Sequence, residues 1–90
     1  MQFLIADTGN GLIRKIGIAP GLVVSTVAGG GTPVLPSIGD GGPALAASLS
    51  TPGGVAVDAT RILIADTGHH RIRAVDLTTL AISTLSGTGA

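Results

Sequence analysis

Ninety residues make room for one small domain, and five basic against five acidic side chains leave it without formal net charge. That balance argues against a strong electrostatic footprint for nucleic acid or anionic lipid. Having no cysteine, the chain forms no disulfide and no thiolate metal site, and its redox compartment stays open. It is 44% apolar yet holds one Phe and no Tyr or Trp. Its core must therefore come from Val, Ile, Leu and Ala, which bury less area per residue than rings do. Such a core barely offsets the entropy of ordering the chain, so composition alone predicts oligomerisation. The opening MQFLIADTGN has no basic segment, and its apolar run is too short for a signal peptide. No stretch approaches the ~20 apolar residues of a membrane span. The expectation is a soluble protein of unspecified compartment.

In chain order, Gln2–Ala6 is an aliphatic run that reads as a strand, followed by an Asp7-Thr8-Gly9-Asn10 turn. Leu12–Ile16 alternates apolar and polar positions, and Leu22–Ala28 forms a third run. A long loop follows with Gly29-Gly30-Gly31 and Gly39-Asp40-Gly41-Gly42-Pro43. Pro43 suits the first position of one helical turn over Ala44–Leu49, with Leu45 and Leu49 pinning it to a sheet. Gly54–Asp58 is the next strand, then Arg61–Ala65, an Asp66–His69 turn, Arg71–Val75 and Leu80–Ser86. Fifteen Gly and five Pro punctuate these short runs, the pattern of an all-β protein.

The chain repeats itself. Phe3–Ile16 aligns with Ile62–Val75 at an offset of 59, and Ser25–Gly31 aligns with Ser83–Gly89 at 58. One residue has been gained or lost in the turn between. Identity extending over the whole unit points to a duplicated supersecondary element rather than a catalytic tripeptide. The first copy supplies three strands (B, C, D), and the second supplies four (A, B, C, D). The B runs are apolar at successive positions and are expected to be buried on both faces; the C runs carry Arg, Lys and His and are expected to be wetter. That gradient fits small sheets stacked radially as propeller blades.

The segments Gly39–Ala44, Pro52–Asp58, Leu63–Gly68 and His70–Val75, with Ile72 and Arg73, resemble a bacterial-type NHL repeat. The resemblance covers virtually the whole chain. It implies four-stranded antiparallel blades, usually six to a closed propeller. Binding of protein or RNA, extracellular sensing and, in one branch, lyase activity are the roles it brings with it. On this reading residues 1–32 are an incomplete first blade, 33–52 a connecting loop and 53–90 a complete second blade.

Asp-Thr-Gly is then turn chemistry. Asp7 and Asp66 are expected to bond backbone N–H groups two residues on, and Gly9 and Gly68 to supply φ > 0. Arg14 and Arg73 recur on the following strand, and one of them is expected to reach back to an Asp or to a turn carbonyl, tying the hairpin as a partly exposed pair. The competing readings are enzymes: a metal-dependent lyase sited in the propeller channel, which the resemblance implies for one branch, or a retropepsin-like dimer with one catalytic Asp-Thr-Gly per subunit. Two copies only 59 residues apart, followed by Asn10 and His69 rather than Ala or Ser, disfavour the dimer. Adjacent His69 and His70 would need outside ligands to hold a metal. The Gly-rich loops lack the Lys-Ser/Thr of a P-loop. RNA binding would want a basic face with stacking rings. No catalytic residue, metal or cofactor is assigned.

Alternating strand directions put the B–C turns and the long loop on one rim, which makes Asn10, Asp40, His69 and His70 the candidate binding residues for a protein or small molecule. Seven strands make one and three-quarter blades. Identical chains are expected to complete one another as a ring, a trimer giving six blades. Val34–Ile38 is a candidate for the missing first strand, against which Pro33 and Pro36 count.

Overall fold

A computed structural model describes residues 2–17, 23–32 and 38–87, with the side chains of Gln2 and Val23 left aside. The fold is all-β. Strands β1 (Gln2–Asp7), β2 (Leu12–Gly17) and β3 (Val23–Gly29) form one antiparallel sheet in sequence order. Strands β4 (Gly54–Val57), β5 (Arg61–Asp66), β6 (Arg71–Asp76) and β7 (Ile82–Ser86) form a second. The duplication seen in the sequence is reproduced in the register. Ile16 faces Val24 as Val75 faces Ile82, and a register shift falls between Ile13 and Arg14 as between Ile72 and Arg73. The candidate strand Val34–Ile38 lies, apart from Ile38, outside the described residues.

Two kinds of turn join the strands. In the β4–β5 and β6–β7 turns an aspartate closes the bend on its own backbone: Asp58 Oδ1 accepts from the N–H groups of Thr60 and Arg61, both at 2.8 Å, and Asp76 Oδ1 from Thr78 (2.7 Å) and Thr79 (3.1 Å). The two Asp-Thr-Gly turns are built otherwise. Each is a 3-10 turn, Thr8–Asn10 and Thr67–His69, ended by a left-handed residue, Gly11 at φ 65° and His70 at φ 56°. The expectation that Gly9 and Gly68 carry the positive φ is therefore corrected: a 3-10 turn needs right-handed backbone at its Gly, and the reversal falls two residues later.

The long loop is a belt around the second sheet. Gly41–Ala44 runs along the free side of β7, with Gly41 N–H donating to Ile82 O (2.7 Å), Ile82 N–H to Gly42 O (3.0 Å) and Ala44 N–H to Leu80 O (2.9 Å). A 3-10 turn at Ala44–Ala46 follows Pro43, and the chain then crosses the face of the sheet to reach β4. Ala44, Ala47 and Leu49 are buried on the way. Leu45 is exposed, so only one of the two expected leucines anchors the loop; within the 3-10 turn Ala44 alone is buried, and Ala47 just after it packs inward with Leu49.

The core lies between the sheets. Leu4, Ala6, Ile13, Val27 and Ala28 of the first sheet meet Val55, Ile62, Ile64, Val75 and Ile82 of the second, with the belt alanines and Leu49 in the same cluster. Each sheet thus buries one face. The expected burial of both faces of the B runs does not hold: β5 alternates buried and half-buried positions, and β1 leaves Phe3 and Ile5 exposed. Nor is the C run of the second sheet the wetter one, since Arg73, Ala74 and Val75 are all buried in β6. Arg73 can be buried because its charge is fully partnered. Among the described residues no helix is long and apolar enough to cross a membrane.

Candidate functional site

The 3-10 turns and the belt meet at one end of the sheets, and the most heavily bonded group there is Arg73. Its guanidinium is fully buried. Nη1 donates to Asp66 Oδ2 (2.9 Å) and to Ser48 O (2.8 Å), Nη2 to Ile38 O (2.9 Å), and Nε to Asp40 Oδ1 (3.1 Å). Asp40 also pairs with Arg73 Nη2 at 3.0 Å and with Arg71 at 3.7 Å, and accepts from the Thr84 hydroxyl. Asp66, equally buried, accepts from Ser50 N–H at 2.7 Å. His69 Nδ1 lies 2.7 Å from Asp66 Oδ2; an ionised carboxylate only accepts, so Nδ1 carries the hydrogen. Gly68 N–H donates to Ser50 O at 2.8 Å. A Cβ on Gly68 would stand 2.1 Å from Ser50 Oγ and 2.8 Å from Ser50 O, so this glycine is required by the close passage of the belt, not by its φ.

The carboxylate of Asp66 therefore bonds the belt amide of Ser50 together with His69 and Arg73 of its own hairpin, and not a backbone N–H two residues on, which corrects that expectation. The charge partner is also more buried than a surface pair. In low dielectric, an isolated Asp66 or Arg73 would be expensive; together, with five further hydrogen bonds, they are satisfied.

The first Asp-Thr-Gly turn has the same residues but fewer partners. Asp7 accepts from Asn10 Nδ2 at 3.1 Å on both oxygens and sits 3.6 Å from Arg14 Nη1. Thr8 Oγ1 donates to Pro52 O at 2.8 Å, tying this hairpin to the belt of the other sheet. Asp7 and Asp66 thus turn to separate partners rather than to each other, Asp7 within its own hairpin and Asp66 to the belt as well.

Of the four candidate binding residues, three are spent on internal bonds: Asn10 on Asp7, Asp40 on Arg73, and His69 on Asp66. His70 is exposed in its left-handed conformation. The structure brings Asp40 and His69 into one network through Arg73 and Asp66, whereas Asn10 bonds within the other hairpin. A cleft of about 480 Å³ opens beside Asp40, lined also by Gly31, Thr32, Gly39, Gly42 and Ala46. Among the described residues no three His, Asp or Glu side chains converge as a metal site requires. Sequence reasoning missed Ser48 and Ser50, which act through backbone groups and so leave no side-chain signature.

Residues 49–74 match the NHL repeat. The chain carries an NHL repeat. The matched stretch runs from the buried Leu49 of the belt, through Ser50 and β4, to Ala74 in β6. It contains both ends of the Ser50–Asp66–Gly68 clasp and Arg73, so the NHL signature here coincides with the contacts that lash the belt to its hairpin. Comparison with curated proteins finds no significant match.

Proposed function

We propose that this chain is a self-assembling NHL-type β-propeller module with a structural or ligand-binding role and no catalytic one. The observation that carries the reading is an exchange of exposure between repeat-equivalent faces. Ile62, Ile64 and Ile82 of the second sheet are 4%, 0% and 0% exposed, packed against the first sheet. Their equivalents in the first sheet, Phe3, Ile5 and Val24, are 51%, 41% and 51% exposed. Conversely, Leu4, Ala6 and Ile13 pack into the core, while their equivalents Leu63, Ala65 and Ile72 line an open groove of about 300 Å³ with Gly54, Val55 and Ala56.

The chain therefore presents, on its two outer faces, the two halves of the interface it already makes between its own sheets. Stacking the second sheet of one copy on the first sheet of the next repeats that interface. A contact of this head-to-tail kind propagates until the rotation closes it. Burying a Phe, Ile or Val side chain is worth about 1.5–3 kcal/mol when complete, and several are half-exposed. Three chains bring six sheets, the number the resemblance implies. The rim that carries Asp40, His69 and His70, with the cleft beside Asp40, is where a ligand or protein partner would bind. Neither Asp-Thr-Gly is assigned to catalysis, since Asp7 is engaged by Asn10 and Arg14 and Asp66 by Arg73, His69 and the Ser50 amide.

Light scattering on the purified chain tests the assembly. The expected mass is three times the 8.7 kDa of one chain. A folded monomer at micromolar concentration contradicts it.

A further inference from the structure

The two Asp-Thr-Gly hairpins have the same sequence and register but not the same surroundings. At the second, the belt Ile38–Val57 fills four places. Asp40 bonds Arg73 Nε, Ser50 N–H bonds Asp66, Ser50 presses on Gly68, and β4 pairs with β5. Each of these places is open at the first hairpin among the described residues. Arg14 Nε is shielded from solvent and has no hydrogen-bond partner. Asp7 has Asn10 in the place of His69, with no described counterpart of the Ser50 amide that Asp66 also takes. A Cβ on Gly9 would meet nothing within 4 Å. β1 is the edge strand of its sheet where β5 is internal, and Val24 on β3 is exposed where Ile82 is bonded to Gly41 and Gly42.

We infer that the β1 edge, the Asp7–Arg14 hairpin and the exposed face around Val24 form a docking site for the belt and first strand of another NHL-type repeat, a segment with the chemistry of Ile38–Val57. Its aspartate pairs with Arg14 Nε, its serine amide with the Asp7 carboxylate, and its Gly-Val-Ala-Val strand adds to β1 by main-chain hydrogen bonds. The belt passes close over Gly9, which explains a glycine that its own turn does not require. Copies of this chain cannot fill the site by themselves, because the sequence holds two such hairpins and one belt, already engaged with Asp66 and Arg73. The inference rests on the reading of each sheet as a blade, but not on the assembly of copies into a ring.

The test is titration of a synthetic peptide of residues 38–60 into the full chain, followed by calorimetry and by amide chemical shifts. One peptide is expected per chain, with shifts at Gly9, Arg14 and β1. Arg14→Ala should weaken binding at least tenfold, and Arg14→Lys should do so equally, since it keeps the charge and loses Nε. A peptide carrying Asp40→Ala should be weakened similarly, and Gly9→Val should abolish binding. Because a Cβ at Gly9 meets nothing and Arg14 holds only Asp7, at 3.6 Å, these variants should stay folded with an unfolding midpoint close to the parent's, which separates lost docking from lost folding. The inference is overturned by no binding, by binding that Arg14→Ala leaves unchanged, or by shifts centred on Gly68 and Arg73, which would mean that the peptide only displaces the chain's own belt. A monomeric mass with intact peptide binding would sink the ring and spare the docking site; the opposite pair of results would do the reverse.

Discussion

Identical side chains in two copies of one hairpin do different work according to burial. Arg73 is fully enclosed and holds Asp66, Asp40 and two carbonyls; Arg14 is about a third exposed and holds Asp7 at 3.6 Å. Removing Arg73 leaves Asp66 as an uncompensated buried charge, so Arg73→Ala is expected to cost about 3–5 kcal/mol. Arg14→Ala is expected to cost less than about 1 kcal/mol. Urea unfolding of the two variants measures the contrast, and equal losses would contradict it. The glycines make a second pair. Gly68→Ala drives a Cβ into Ser50 and should cost about 1–3 kcal/mol, whereas Gly9→Ala should stay within about 0.5 kcal/mol of the parent. The sequence made the pairing of Arg with Asp legible, because both recur at fixed spacing. It did not reveal which copy is buried, since burial is decided by a belt that is far away along the chain.

At the scale of elements, most strands are legible in aliphatic runs and turn residues, and the pairing register then reproduces the duplication. The turns were read less well. Asp-Thr-Gly looked like a tight hairpin with its glycine left-handed, but the longer 3-10 path puts the reversal on Gly11 and His70. Nothing in a single tripeptide distinguishes the two paths; the cue lay in the glycine two positions further on in the first copy. His70 is thus the strained member, because a non-Gly residue in the left-handed region costs about 1–2 kcal/mol. His70→Gly should stabilise the protein by roughly 0.5–1 kcal/mol once the greater freedom of the unfolded chain is set against that relief. An unchanged or lowered unfolding midpoint would contradict the assignment of strain. The β4–β5 turn gives a pH test. The backbone N–H of Thr60, then that of Arg61, bonds the Asp58 carboxylate and holds its pKa below the ordinary aspartate value. A depressed folded pKa favours folding above the unfolded pKa, and that contribution is lost as pH falls through the folded value. The side-chain carboxyl resonance of Asp58 should therefore titrate below the usual aspartate range; a midpoint at or above it would contradict the turn geometry.

For the molecule as a whole, the sequence predicted two repeat units and an apolar excess that a single copy cannot cover. It could not say which faces would be left open. Each B run, expected to be covered on both faces, is covered on one side only, and the uncovered sides carry the repeat equivalents of the residues that meet in the core. The central claim is that these halves join between copies. Its most direct test is sedimentation equilibrium at micromolar concentration, with Ile5→Asp as the companion variant on the exposed face of β1. The account expects the parent at three times the mass of one chain. It expects Ile5→Asp, which places a charge where the equivalent Ile64 is fully buried, to run as a single chain with its β-sheet circular dichroism retained. A parent chain that sediments as a folded monomer, or a variant that assembles as well as the parent, would contradict it.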